Sequence, residues 1–78
     1  MEKGTLLSRE YTGNTTLPAN TYRKYFYIVF TQGSGTVEFG GGGGKVPLTN
    51  NQYYEPYVTP LSEITIETTT GTYVVVEG

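Results

Sequence analysis

Apolar and polar residues alternate with a period of two over much of this chain, and no window carries the three-and-four apolar spacing of an amphipathic helix. The pattern is strongest over residues 22–31. There Tyr25, Tyr27 and Val29 fall on one side of an extended strand and Phe26, Ile28 and Phe30 on the other, because successive strand side chains alternate faces. Both sides are apolar or aromatic. That predicts a strand covered twice, either the central strand of a sandwich or one whose outer face meets a neighbouring subunit.

Gln32-Gly33-Ser34-Gly35 is a turn signal and Thr36-Val37-Glu38-Phe39 alternates again, so residues 25–39 read as a hairpin. A second hairpin is expected from Ile64-Thr65-Ile66-Glu67, Thr69-Thr70-Gly71 and Tyr73-Val74-Val75-Val76, with Ile64 and Ile66 facing a core. Residues 5–11 form a modest strand and 12–20 a Thr/Asn/Pro loop. Residues 40–60 hold Pro47, Pro56 and Pro60, which would each cost a central strand a ladder bond, so this part reads as loop and edge. The expected fold is all-β, a small antiparallel sandwich or barrel of about five to seven strands. It forms a single domain over residues 1–78, with 1–20 open to being an extended arm.

Composition sharpens this picture. Fourteen Thr, eight Tyr and eleven Gly are strand and turn chemistry. A chain of 78 residues buries only about 60% of the surface its unfolded form exposes. Small domains usually add disulfides, a metal or partners. With no Cys, His, Asp or Trp, the first two are hard to build, which leaves oligomerisation or docking on something larger. The same absences exclude thiolate and imidazole zinc sites, Cys nucleophiles and Ser–His pairs. Five Lys and Arg against seven Glu give a net charge of −2, too weak and of the wrong sign for a nucleic-acid footprint. No apolar run is long enough for a membrane span, and Met1 to Gly4 lead into no signal-type segment, so a soluble protein made without a secretion signal is expected. Asn14-Thr15-Thr16 matches a glycosylation sequon, read as chance without a secretory route.

Three stretches are candidates for chemistry. The glycine run of residues 40–44 precedes Lys45, but a phosphate-binding loop needs a glycine where Phe39 stands, a hydroxyl where Val46 stands, and a following helix. The run then reads as a solvated turn, or as bare backbone close to a neighbour. Gln52-Tyr53-Tyr54-Glu55-Pro56-Tyr57 offers rings with wet hydroxyls, suited to a protein interface, to capping the ends of the core, or to stacking on a sugar. The interface candidates are Tyr25, Tyr27, Tyr53, Tyr54 and Tyr57. The seven Glu are spread over strand faces and turns with no apolar pocket around them, so no catalytic, cofactor or metal residue is expected. Arg23-Lys24 sit on opposite strand faces and make no basic patch.

On Gly35-Thr36-Val37-Glu38-Phe39-Gly40, Tyr54-Glu55-Pro56 and Gly71-Thr72-Tyr73-Val74-Val75-Val76-Glu77, the chain resembles the small β-rich accessory proteins of tailed bacteriophage virions, namely head decoration proteins and fibre knobs. The resemblance covers about the last two thirds of the chain; the first twenty residues match no pattern of that family. It implies a non-enzymatic virion structural protein, located in the host cytoplasm during assembly. Such a protein would bind the major capsid or another virion protein and self-associate, with a trimer favoured. The alternative is a glycan- or receptor-binding module.

Overall fold

A computed structural model describes residues 6–78, and they form eight strands: β1 (Leu7–Thr12), β2 (Thr15–Leu17), β3 (Phe26–Gln32), β4 (Gly35–Phe39), β5 (Lys45–Leu48), β6 (Tyr53–Tyr54), β7 (Ile64–Glu67) and β8 (Thr72–Glu77). They make two antiparallel four-stranded sheets. Sheet A runs β1-β8-β3-β6 and sheet B runs β2-β7-β4-β5. This is the strand order of a jelly roll, in which the chain passes back and forth between two packed sheets. The strand count exceeds the expected five to seven because β2, β5 and β6 lie in stretches read as loop. β5 and β6 are sheet edges, where Pro47 is tolerated because an edge strand needs only one side of its ladder. In the stretch left open as an arm, β1 pairs with β8 and β2 with β7, and residues 1–5 lie outside the described residues.

The core is the set of inward positions of both sheets. Phe26, Ile28 and Phe30 of β3 and Tyr73 and Val75 of β8 meet Leu17, Val37, Leu48, Ile64 and Ile66 from sheet B. Their period-two spacing is the alternation read from the sequence. Tyr73 lies against Phe30 at 5.0 Å and Tyr11 at 5.7 Å, while Phe39 meets Phe26 edge-on at 5.9 Å, an arrangement aromatic pairs favour. Burial pushes the Tyr73 phenol pKa up, and its hydroxyl donates to the Gly13 carbonyl at 2.7 Å.

Neither expected hairpin exists. β3 and β4 belong to different sheets, as do β7 and β8. Among the described residues, of the connections between consecutive strands only β4–β5 joins two paired strands. A local strand–turn–strand signature cannot tell a hairpin from a corner that changes sheets, because the difference lies in partners far away in sequence. The β1–β2, β3–β4 and β7–β8 corners converge at one end of the sandwich and fasten to one another. Gly13 N donates to Gly71 O at 3.2 Å, Thr68 N to Asn14 Oδ1 at 2.9 Å, and Thr68 Oγ1 to Ser34 O at 2.7 Å. Glycine is required here by contact. A Cβ on Gly35 would overlap the Glu67 carbonyl oxygen and come within 2.7 Å of the Phe30 ring, and one on Gly71 would sit 2.5 Å from Thr68 Oγ1.

The opposite end is held by Arg23, whose side chain is only 2% exposed. Its guanidinium donates to Glu77 Oε2 at 3.0 Å, Pro60 O at 2.6 Å, Ser62 O at 3.2 Å and Pro18 O at 3.1 Å. One planar fork therefore ties the β2–β3 connection, the β6–β7 connection and the last strand together, and every buried polar atom of it is answered. Among the described residues no helix is long and apolar enough to cross a membrane.

Candidate functional site

The register of sheet A fixes which side chains face away from the core. β3 pairs with β8 as Tyr27↔Val76 and Val29↔Val74, β3 with β6 as Val29↔Tyr53, and β8 with β1 as Val76↔Ser8 and Val74↔Glu10. Phe26, Ile28 and Phe30 point inward, so the alternate positions point out. The outer face therefore presents two rows, Tyr53-Val29-Val74 and Tyr27-Val76, five apolar or aromatic side chains on three neighbouring strands. Tyr27 and Tyr53 stack across the strands at 5.5 Å with ring planes 23° apart. Threonines at the corner end border this patch: Thr12 and Thr72 share a hydroxyl hydrogen bond at 3.3 Å, and Thr31 Oγ1 donates to Thr72 O at 3.2 Å.

The outer face of sheet B follows the same pairing and is polar. One row is Thr16-Thr65-Glu38-Lys45 and the next Glu67-Thr36-Pro47. Lys45 reaches across β4 to Glu67 at 2.8 Å, and that hydrogen bond raises the lysine pKa. The lysine beside the glycine run is thus engaged in a surface ion pair. The run itself is the β4–β5 hairpin loop, steadied by Gly43 N donating to Glu38 Oε2 at 2.7 Å. A Cβ on Gly41, Gly42, Gly43 or Gly44 would meet nothing within 4 Å, so bare backbone is not pressed against this chain's own residues there. Gly40, Gly41 and Gly43 have positive φ, a conformation that favours glycine.

Of the five tyrosines singled out from the sequence, four border sheet A's outer face. Tyr27 and Tyr53 form the stacked pair. Tyr25 donates its hydroxyl to Glu55, and that bond, the largest cause, raises the phenol pKa. Tyr57 stands fully exposed beyond Glu55. Tyr54 departs from the expectation: it pairs with Ile28, so its ring turns inward and packs on Phe39 at 5.9 Å, extending the core. Sequence reasoning missed Arg23, which is buried and spent on internal carbonyls. A lone arginine before a strand carries no signal for that role.

The interior holds hydrocarbon and aromatic side chains at its inward strand positions, and among the described residues no three of His, Cys, Asp and Glu come together. The surface offers a shallow depression of about 560 Å³ among the corner residues Asn14, Ser34, Gly35, Glu67, Thr68 and Thr69, and two more at the β6 edge. One, of about 420 Å³, is lined by Pro47, Leu48, Asn51, Gln52 and Tyr53; the other, of about 350 Å³, by Tyr25, Glu55, Pro56, Tyr57 and Thr59.

No protein-family model matches this chain, and no curated protein matches it. Among solved structures it is similar to an RmlC-like cupin protein from Desulfovibrio desulfuricans. The TM-score is 0.69 and the identity 19%, over 100% of this chain and 76% of that one. At that identity the likeness is one of fold: the described residues form an eight-stranded antiparallel jelly roll similar to that protein's.

Proposed function

We propose that this chain is a non-enzymatic structural module that self-associates, and attaches to a larger protein assembly, through the outer face of sheet A. The observation that carries the reading is the asymmetry of the two outer faces. An antiparallel sheet with one side on a core normally shows water an alternating polar face, as sheet B does. Sheet A presents half-buried valines and Tyr27 beside the exposed Tyr53 instead, and a contiguous apolar patch rimmed by polar residues on an outer face marks an interaction surface. The chain's size points the same way, since it has no disulfide to supplement a small core.

Magnitude shapes the proposal. Three strands about 4.8 Å apart and six or seven residues long, with the two residues of β6 at their edge, make a face of roughly 300 Å². A stable pairwise complex needs about 800 Å² per partner. Two such faces packed together give a weak, concentration-dependent dimer, so a trimer or a lattice, where each copy is held by several contacts at once, suits the face better. Attachment to a capsid or tail protein of a virion is the narrower form of the proposal. It rests on the sequence resemblance and on the use of jelly rolls in capsid proteins, and lectins and cupins share that architecture.

Sedimentation of the purified protein from micromolar concentration upward tests it. The expected result is a mass that climbs in multiples of the 8.6 kDa chain, with a trimer favoured. A monomer at every concentration, with Tyr27 open to solvent probes, would refute self-association.

A further inference from the structure

The sheet A patch ends at β6, and beyond it the surface changes character. Tyr53, Glu55 and Tyr57 stand at alternate positions from β6 into the bend at Tyr57 and Val58. The first two are braced, Tyr53 by the stacked ring of Tyr27 on β3 and Glu55 by the hydroxyl of Tyr25 just before that strand. The two β6-edge depressions lie at either end of this stretch, so a track runs from Asn51 and Gln52 past Tyr53 and Glu55 to Tyr57. From the geometry of this track we propose a binding site for a neutral oligosaccharide.

Three features choose that ligand. First, the rings are in water: Tyr53 is 62% exposed and Tyr57 fully so. A pyranose offers a face of C–H groups that packs on such a ring, while its hydroxyls need donors and acceptors alongside. The Glu55 carboxylate, the tyrosine hydroxyls and the Asn51 and Gln52 amides supply them.

Second, the lining carries a single carboxylate and no cation. That suits an uncharged, hydroxyl-rich chain and disfavours sulfated, phosphorylated or sialylated ones. A peptide adding itself as a strand is also disfavoured, because β6 offers only two residues of edge. The track is also far narrower than the area a protein partner needs.

Third, the floor is built before any ligand arrives. Asn51 N donates to Phe30 O at 2.7 Å and Phe30 N to Gln52 O at 3.0 Å, which fastens the turn to β3. Within the turn, Thr49 N donates to Gln52 Oε1 at 2.9 Å and Gln52 N to Thr49 O at 3.0 Å, with Asn51 at φ 66°. Gln52 is thereby locked with its NH₂ left to donate. Among the described residues no partner takes the Asn51 side chain. At the other end, Thr59 Oγ1 donates to Lys24 O at 3.0 Å and holds the Tyr57 loop against the strand entry. A rigid aromatic platform with fixed polar groups loses little entropy on binding.

This site shares Tyr53 with the association face, so the titrations are made at a dilution where the protein is a single chain, and the test then separates the two. The wild-type protein is applied to an array of neutral and acidic glycans and to a proline decamer, and each hit is titrated by calorimetry. Binding to at least one neutral oligosaccharide is expected. Tyr57→Ala, an exposed change that leaves the core intact, should weaken it roughly tenfold or more, the scale of losing one well-placed aromatic contact. Gln52→Ala should weaken it less. Val74→Lys, directed at the sheet A face, should leave glycan affinity unchanged whatever it does to the mass. The proposal is overturned if no neutral glycan binds, if only acidic glycans or the proline decamer do, or if Tyr57→Ala binds like wild type.

Discussion

On sheet B the side chains pointing away from the core run Thr16, Thr65, Glu38, Lys45 in one row and Glu67, Thr36, Pro47 in the next. On sheet A the matching rows run Glu10, Val74, Val29, Tyr53 and Ser8, Val76, Tyr27. Both sheets bury an equally apolar inner face, and both are four antiparallel strands long. Sheet B therefore shows what folding asks of an outer face in this architecture, which is threonine for strand propensity and charge for solubility. Measured against it, the valines and stacked tyrosines of sheet A exceed that requirement, and they are what the fold has available for a partner.

The comparison holds only while the sandwich stays closed, so the largest effects are expected at its two ends. Arg23→Ala removes four charge-assisted hydrogen bonds and leaves Glu77 and three carbonyls without their donor. Glu77 is partly open to water, so the loss should fall at or below the about 3–5 kcal/mol of breaking a fully buried pair, still a large share of the 5–15 kcal/mol that holds a typical domain. At the other end, Gly35→Ala drives a methyl into the Glu67 carbonyl and the Phe30 ring, where overpacking costs about 1–3 kcal/mol. Chemical denaturation should show both losses, with any self-association falling alongside. An unchanged melt in Arg23→Ala would mean that the fork does not close that end.

Alkaline pH should act next. The Tyr73 phenol is raised from the ordinary value of 10.0 by burial. Because the folded pKa lies above the unfolded one, its contribution is complete below about pH 10 and is lost as pH rises through the raised value. Tyr25 is shifted the same way by its bond to Glu55, but it is exposed and solvent screens it. A stability profile above pH 10 should therefore be altered by Tyr73→Phe and barely by Tyr25→Phe. The reverse order would place the sensitive phenol on the outer face.

The smallest effects belong to the glycine run, which the comparison leaves out of the association surface. Gly42 has no positive φ and nothing near its missing Cβ, so Gly42→Ala should raise stability by about 0.4–1 kcal/mol through the unfolded chain. Gly40 has φ +76°, so Gly40→Ala should lose about 1 kcal/mol or slightly more to strain. The mass should stay at the wild-type value in both. A selective loss of assembly in Gly42→Ala would move the interface to the loop.

Much of this was legible in the sequence, and for a definite reason. Alternation is local, so the β class, the inward Phe26, Ile28, Phe30, Ile64 and Ile66, and the two-sided apolarity of β3 could be read from spacing alone. The glycine motif could be rejected as a phosphate loop because that chemistry demands residues at fixed offsets. Partner choice is not local. Gly33-Ser34-Gly35 and Thr69-Thr70-Gly71 look like hairpin turns, and only the pairing of β3 with β8 and of β4 with β7 turns them into corners. The inward turn of Tyr54 depends on its register with Ile28, and the burial of Arg23 depends on Pro60, Ser62 and Glu77, all distant from it in the chain. None of these leaves a mark on its own neighbours in sequence.

The asymmetry of the two faces is tested most directly by placing the same charge on each and weighing the product. Val74→Lys and Thr65→Lys both put a lysine on an outward position of a central strand, so their costs to folding should be small and similar. Light scattering at a concentration where the wild type is assembled should then find Thr65→Lys at the wild-type mass and Val74→Lys at the 8.6 kDa of one chain. Assembly that survives Val74→Lys and fails in Thr65→Lys would contradict the account, because the partner would then be meeting the polar face.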